Sequence, residues 1–371
     1  MKEKVRMPII WFSLFMALML FQTSYMRLGT ITAFFTLSMS VLSAFACKDT
    51  TLSHFRFPLI SKCILLFITL TVCITLASGN LPNYFVRFVA QIILFLVLAT
   101  LTLNFKETKY LRNVFIFAAF VYAILTINSC IKAGSARYVH SAILLFNTKI
   151  DPNFIGIPFV AASAFVLDGL LTKNKKILNL FVYTVIVVAI VYTASKSNFL
   201  CLLISNLLVI YSFIYKHNIK LGVRLISLIV ILFIIFYGMN FLSVKYSDQW
   251  ARMIGFSQNS DNGRIILWER AVSVFYESPL FGKGLGYMTL TYGKATHNTY
   301  LQLLCETGLF GCGLFAVVCF TLIRKLYSFD KTYLIIFITI LIQITFLDAL
   351  DNRCLWIVLC WFNILPIFRR S

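Results

Sequence analysis

Long apolar runs, separated by short polar turns, recur along this chain almost from end to end. Many reach about 18 residues or more, the length a helix needs to cross a bilayer. The pattern predicts about twelve spans, near 8–24, 29–47, 58–77, 88–104, 113–131, 154–172, 177–194, 198–215, 221–242, 299–323, 331–348 and 353–368. The fold class expected is therefore all-α, a polytopic membrane protein forming one integral membrane domain over residues 1–371. Two longer polar stretches interrupt the alternation: 132–153, and 243–298 between the ninth and tenth spans. Inside the second, Asn262-Gly263 reads as a turn. Arg264 to Glu277 then has helical spacing, with Ile265, Trp268, Val272 and Phe275 along one face, and Pro279 ends it. A glycine-rich turn comes next at Gly282-Lys283-Gly284-Leu285-Gly286. The tenth span opens with Ala295-Thr296-His297-Asn298-Thr299-Tyr300-Leu301.

Composition sharpens this picture. The chain is 60% hydrophobic and 12% charged, which leaves too little polar surface for a soluble protein of this size. The first apolar run begins near Pro8 and lacks a small-residue cleavage site, so it reads as the first span rather than a signal peptide. Cysteines such as Cys63, Cys73, Cys201, Cys312 and Cys360 sit inside apolar spans, without disulfide or metal-ligand spacing, and read as small packing residues. The formal charge of +20 raises nucleic acid as a partner. Topology accounts for most of it instead, and no nucleic acid is expected. One set of loops carries Lys2, Lys4, Arg6, Lys48, Arg56, Lys106, Lys109, Arg112, Lys173, Lys175, Lys176, Lys216, Lys220, Arg224, Arg324, Lys325, Lys331, Arg369 and Arg370. The opposite short loops carry only Arg27, Arg87, Lys196 and Arg353. By the positive-inside rule both termini are then cytoplasmic, and the loops 132–153 and 243–298 face outward. Transporters built from two six-helix halves carry a long cytoplasmic linker after the sixth span. Here that position holds only Lys-Asn-Lys-Lys, and no internal repeat is evident.

The outward loop 243–298 concentrates the candidate chemistry. Its Gly-x-Gly-x-Gly string comes after no strand and faces outward, so a tight re-entry turn is the favoured reading over a nucleotide loop. His297 stands directly before a span, in the same loop as Arg264. An imidazole titrates near neutral pH and can take a proton from a hydroxyl nucleophile. Arginine holds a departing phosphate through charge-assisted hydrogen bonds that strengthen where water is excluded. The plainer alternative is an interfacial histidine that starts a helix. Glu306, nine residues further, falls within the span, where structural pairing is expected. Asp348 and Asp351 fall at an external helix end and read as solvated.

The run from Asn262 to Phe315 resembles the signature region of the O-antigen ligase and polymerase superfamily. The matching elements are Gly263-Arg264 with Trp268, then Pro279-Leu280-Phe281-Gly282-Lys283-Gly284. They continue with His297-Asn298 and Tyr300-Leu301, and with Glu306, Gly308 and Gly311. Ten residues separate His297 from Gly308, as in that family. Asp151-Pro152-Asn153 and Ser195-Lys196-Ser197 extend the resemblance over the second half of the chain, whereas the first five spans match only in hydropathy.

The resemblance implies a GT-C-like membrane glycosyltransferase in a bacterial inner membrane. Its donor, and its partner beside the lipid bilayer, would be a glycan linked to undecaprenyl pyrophosphate. His297 would activate the acceptor hydroxyl, and Arg264 would bind the donor pyrophosphate. Asn298 would join the substrate site. Lys196 stands where the family usually has arginine, which keeps the charge but loses the bidentate fork. Asp151 and Asn153 would shape the other side of an external cavity, with a simple helix-start turn as the alternative. For Arg137 and Arg252, loop solvation is favoured over phosphate contact. No metal or other cofactor is implied: the stretch Tyr25 to Gly29 has no carboxylates, where metal-dependent membrane glycosyltransferases carry an acidic motif.

The expected reaction is metal-independent, inverting polymerisation of lipid-linked repeat units at the outer leaflet, with a chain-length regulator as a further partner. The alternatives are a ligase that transfers the glycan to a lipid A core or another acceptor, and a lipid-linked oligosaccharide transporter.

Overall fold

The computed structural model describes residues 4–19, 27–46, 59–79, 81–82, 85–98, 101–133, 143–145, 148–172, 176–217, 258–350 and 353–366. The predicted ninth span, residues 243–257 of the long loop, Arg137, Arg252 and Asp351 lie outside them. In chain order the helices are α1 (Met7–Met19), α2 (Arg27–Ala46), α3 (Leu59–Ala77), α4 (Phe85–Leu98), α5 (Phe105–Ala133), α6 (Pro152–Thr172), α7 (Lys176–Tyr192), α8 (Lys196–Lys216), α9 (Gln258–Glu277), α10 (Tyr287–Tyr292), α11 (Thr299–Phe329), α12 (Lys331–Gln343) and α13 (Arg353–Ile364). Among the described residues, α3, α5, α6, α8 and α11 are long and apolar enough to cross a membrane, and shorter apolar helices accompany them. The protein is an all-α polytopic membrane protein.

The chain folds as two compact units, one of Met1–Phe115 with Gln258–Ser371, the other Ile116–Ser257. In the first, α1 packs on α2, and α11 packs against α3, α9 and α12. Its core is aromatic. Trp361 of α13 is buried, with Phe115 at a 5.3 Å ring separation and Tyr333 edge-on at 5.9 Å. Such tilted and edge-to-face arrangements suit the quadrupoles of the rings. Arg6 meets the buried Glu107 at 2.8 Å, and Asn104 caps the start of α5 by accepting from the Glu107 N–H at 2.8 Å.

In the second unit α6 packs on both α7 and α8. The polar stretch predicted at 132–153 contains a small antiparallel hairpin, Ile143–Leu145 with Thr148–Ile150, pairing Ile143 with Ile150. Gly156 of α6 admits α8 closely, since a Cβ there would fall 1.8 Å from the Asn198 side-chain nitrogen.

Candidate active site

Helix α9 begins earlier than the sequence suggests. It starts at Gln258, so Asn262 and Gly263 lie within it rather than in a turn. A glycine costs a helix about 1 kcal/mol relative to alanine, and tertiary anchoring overrides such a penalty. The packed stripe is also rotated from the predicted one. Leu267, Ala271 and Val274 are buried, Trp268 and Phe275 are partly so, and Ile265 and Val272 are exposed. Ala271 and Val274 meet Met288 of α10 and Cys305 of α11 in one buried cluster. As predicted from Pro279, α9 stops at Glu277.

Beyond Glu277, the glycine-rich loop and α11 exchange backbone hydrogen bonds. Gly308 lies inside α11 with φ 63°, a left-handed conformation that breaks the helical ladder. The carbonyls of Cys305 and Glu306 accept from Lys283 N–H and Gly284 N–H, each at 2.9 Å. The N–H groups of Leu309 and Phe310 in turn donate to the carbonyls of Pro279 and Leu280, at 2.9 and 3.2 Å. Four groups that an ordinary helix would pair among themselves are thus paired with the loop. A Cβ on Gly308 would lie 2.4 Å from the Leu280 carbonyl carbon, and one on Gly282 would lie 2.5 Å from that of Glu306. This explains why Pro-Leu-Phe-Gly-Lys-Gly and Glu-x-Gly occur together: they are two halves of one joint. The glycine string is a packing turn, and Leu285 N–H continues it onto the Thr75 hydroxyl of α3 at 3.0 Å.

Within this joint the Glu306 side chain is buried and accepts from the amide of Gln302, one turn nearer the start of α11, at 3.3 Å. The expected structural pairing of Glu306 is therefore with a neutral amide on its own helix.

His297 sits at the entry to α11. Asn298 is the N-cap, and its side-chain oxygen accepts from Tyr300 and Leu301 N–H at 3.0 and 3.2 Å. Each residue around it is fastened. The Trp268 indole donates to the Thr296 carbonyl at 3.0 Å. The Thr299 hydroxyl donates to the Leu347 carbonyl and accepts from Ala349 N–H. The Tyr300 hydroxyl donates to the Leu341 carbonyl at 2.8 Å. Arg264 is half-buried on α9, four residues before Trp268 and so on the same helical face. The indole bond thus ties the face that carries Arg264 to the residue preceding His297.

The residue that sequence reasoning misplaced is Asp348. It is buried, not solvated. The predicted eleventh span ends early, with α12 stopping at Gln343, a 3-10 turn over Ile344–Phe346, and extended backbone at Leu347. That irregular exit carries the carboxylate under His297. Oδ1 accepts from the Thr296 hydroxyl at 2.7 Å, and Oδ2 from His297 N–H at 2.8 Å. Oδ2 also lies 3.1 Å from His297 Nδ1. Burying a carboxylate is costly unless its lone pairs are satisfied, and here the Thr296 hydroxyl and the His297 N–H each donate to one oxygen. The imidazole itself stays 49% exposed. An aspartate 51 positions after a histidine leaves no local pattern, so only the fold could reveal this pair.

Residues 180–316 match the O-antigen ligase family model. This match supports the resemblance to the O-antigen ligase and polymerase superfamily that the motifs carry. It takes in Lys196, Arg264, the 279–284 joint, His297, Asn298 and Gly308. The match supports an O-antigen ligase or polymerase type of function. The chain matches no curated protein sequence.

The remaining family-type residues belong to the second unit and form a cluster of their own. Asp151 Oδ1 accepts from Asn153 N–H at 2.8 Å, starting α6. The Asn153 side-chain oxygen accepts from the Ser195 hydroxyl at 2.6 Å, and Ser195 is the N-cap of α8. Asn198 closes the arrangement by donating to the Pro152 carbonyl at 2.9 Å. Asp-Pro-Asn and Ser-Lys-Ser, 42 residues apart, are thus one hydrogen-bonded unit. Asp151 does act in a helix-start turn, and Lys196, next to the cap Ser195, is exposed. Among the described residues, no three of His, Cys, Asp and Glu gather as a metal-ligand set.

Proposed function

We propose that this protein polymerises glycan repeat units carried on undecaprenyl pyrophosphate, at the outer face of a bacterial inner membrane, with both termini cytoplasmic. The observation that carries this reading is His297. Within the O-antigen ligase-type segment, its imidazole is fastened at the entry of a membrane span yet half-exposed to an incoming hydroxyl. In the proposed step, the hydroxyl oxygen of one lipid-linked repeat unit attacks the anomeric carbon of a growing glycan. The new C–O bond forms as the bond to pyrophosphate breaks, and the bonding pair leaves with the lipid pyrophosphate. His297 takes the hydroxyl proton and later yields it to water. Arg264 neutralises the departing pyrophosphate. Attack from the opposite face inverts the anomeric centre, and the pyrophosphate leaving group supplies the driving force without a nucleotide.

The test is transfer by purified protein in nanodiscs, given its lipid-linked repeat unit without nucleotide or metal. Wild type should lengthen the glycan, while His297→Ala and Arg264→Ala should not. Equal activity in all three would refute the reading.

The family description itself favours a second reading, a ligase that moves the glycan to a lipid A core or another acceptor. The modest external loop and the lysine at position 196 favour the polymerase. Deletion in the host decides between them. Single repeat units left on the core indicate a polymerase, and loss of all attached glycan indicates a ligase.

A further inference from the structure

We infer that the exposed side of α9 next to Arg264 is a bed for the first stretch of the donor's polyprenyl chain. The inference rests on the transfer reading above, with its outward-facing loop, and adds to it the surface that holds the lipid.

This side is the one that periodicity marks in the sequence and that packing leaves over. Successive residues of a helix turn by roughly 100°. Leu267, Ala271 and Val274 are buried on one side of α9. Arg264, Trp268 and Phe275 come next around the helix and are half-buried. Beyond them, Val272, Ile265 and Tyr276 are 39%, 48% and 75% exposed. Glu269, Ser273, Glu277 and Arg270 take the rest of the circumference, with Ile266 among them. Exposed apolar surface is therefore gathered on the side that also carries Arg264. A solvated helix carries polar residues there instead.

Two helices serve as rulers for where this side stands. Helix α3 has 19 residues, about 28 Å, close to the thickness of a hydrocarbon core. Its Thr75, two residues before the helix ends, accepts from Leu285 N–H of the glycine-rich loop. That loop thus lies at the outer edge of the hydrocarbon. Helix α11 has 31 residues, about 46 Å, more than a span needs. It meets the same loop through the Cys305 and Glu306 carbonyls. The stretch of α11 before this contact, with α9 alongside it, therefore stands beyond the hydrocarbon edge. Arg264 is at the outer end of the exposed side. From Ile265 to Tyr276 that side runs about 16 Å along the helix toward the bilayer. Exposed Leu280 and Phe281 follow, and Phe281 stacks on the exposed Phe310 of α11 at 5.1 Å.

A pyrophosphate drawn to Arg264 pulls its attached chain out of the hydrocarbon over this distance. Methyl and methylene groups left in water oppose that movement, and covering them against Val272, Ile265 and Tyr276 removes the penalty. The cation lies at the outer end and the lipid-facing surface at the foot, the order of charge and hydrocarbon in a polyprenyl pyrophosphate. An apolar segment of a partner protein would leave Arg264 unused.

The test measures transfer in nanodiscs from two donors, the repeat unit on undecaprenyl pyrophosphate and the same unit on dimethylallyl pyrophosphate. Partition into the bilayer is the same for every variant and cancels from the comparison. In Ile265→Ser/Val272→Ser, kcat/KM for the undecaprenyl donor should fall at least about 10-fold relative to the dimethylallyl donor, with the change in KM. Ile266 is 48% exposed, as Ile265 is, but stands on the polar side. Ile266→Ser should leave the ratio within about 2-fold of wild type. A ratio unchanged in the double variant, or lowered as much in Ile266→Ser, would overturn the inference and leave the transfer reading intact. Absence of transfer by wild type from both donors would overturn the transfer reading itself. Should the double variant fail to fold, or the short donor go unused, cross-linking decides. With p-benzoylphenylalanine in place of Val272, irradiation should capture the radiolabelled undecaprenyl donor, and in place of Ile266 it should not. Equal capture at the two positions, or capture of bulk phospholipid alone at 272, would overturn the inference.

Discussion

The entries to α11 and α8 are built on the same plan and put to different uses. Among the described residues, the two non-glycine positions with left-handed backbone are His297, φ 53°, and Ala194, φ 49°. Each comes immediately before an N-cap, Asn298 in one case and Ser195 in the other. Each junction is also tied to a segment distant in sequence, Asp348 after α12 bonding His297 and Asn153 in the first turn of α6 bonding Ser195. The difference lies in the strained residue. At 194 it is a buried methyl group, and at 297 it is a half-exposed imidazole over a buried carboxylate. A chain turn that serves only to start a helix has thus been fitted, at 297, with a titratable side chain.

The largest expected effect tests that difference directly. Ala194 demonstrates that alanine occupies this backbone conformation in this fold, so His297→Ala removes the imidazole without changing the local strain. Transfer should fall about 10³-fold while the melting temperature in detergent stays close to wild type. A variant that keeps its rate would reduce His297 to a counterpart of Ala194, a turn residue alone.

Next come the glycines that let each region close up. A Cβ at Gly308 would meet backbone, the Leu280 carbonyl carbon at 2.4 Å, in a left-handed conformation. A Cβ at Gly156 would meet the Asn198 side chain, which can swing away at the loss of its bond to Pro152. Gly308→Ala should therefore destabilise by about 3 kcal/mol, combining backbone strain with overpacking. Gly156→Ala should cost about 1 kcal/mol, near the net worth of one hydrogen bond. Thermal unfolding of the two variants side by side would show the order. A reversed order would mean that the joint between 279–284 and α11 is looser than its four backbone bonds suggest.

A smaller change compares the caps themselves. Asn298→Ala removes the acceptor for two N–H groups and should lower stability by about 1 kcal/mol. Ser195→Ala removes a cap and the bond to Asn153 together, so its loss should be somewhat larger. Equal losses in chemical denaturation would indicate that the Asn153 contact contributes nothing.

These junctions also show what was legible in the sequence. Apolar run length announced the spans, because a bilayer leaves a helix few alternatives. Pro279 and the glycine string announced the end of α9 and the turn after it, because both residues act through their own backbone. The start of α11 was readable too, since the apolar run predicted from 299 begins where the helix does, at Thr299. The packed face of α9 was not, since Ile265 and Val272 are as apolar as the buried Leu267 and Val274, and only the neighbours α10 and α11 choose between them. Asn262-Gly263 misled because its turn preference is worth about 1 kcal/mol, less than the packing that continues the helix through it. Asp348 was hidden by the early end of α12. Once the chain leaves the helix at Gln343, helical spacing no longer says where a side chain points.

The smallest effect is the most informative about the shared plan. Ala194→Gly removes a strain of about 1–2 kcal/mol for a left-handed alanine. Against this stand the extra freedom that glycine gives the unfolded chain, about 0.4–1 kcal/mol, and the burial of one methyl group, about 0.8 kcal/mol. The terms nearly cancel, so stability should stay within about 0.5 kcal/mol of wild type. At position 297 the same replacement has another balance, because the half-exposed ring contributes little burial and its link to Asp348 is lost with it. A marked gain at 194 would show that strain dominates both junctions and that His297 is kept against a larger conformational cost. A marked loss would show that the Ala194 methyl, not the turn, holds the entry to α8, and the likeness between the two junctions would be one of backbone shape alone.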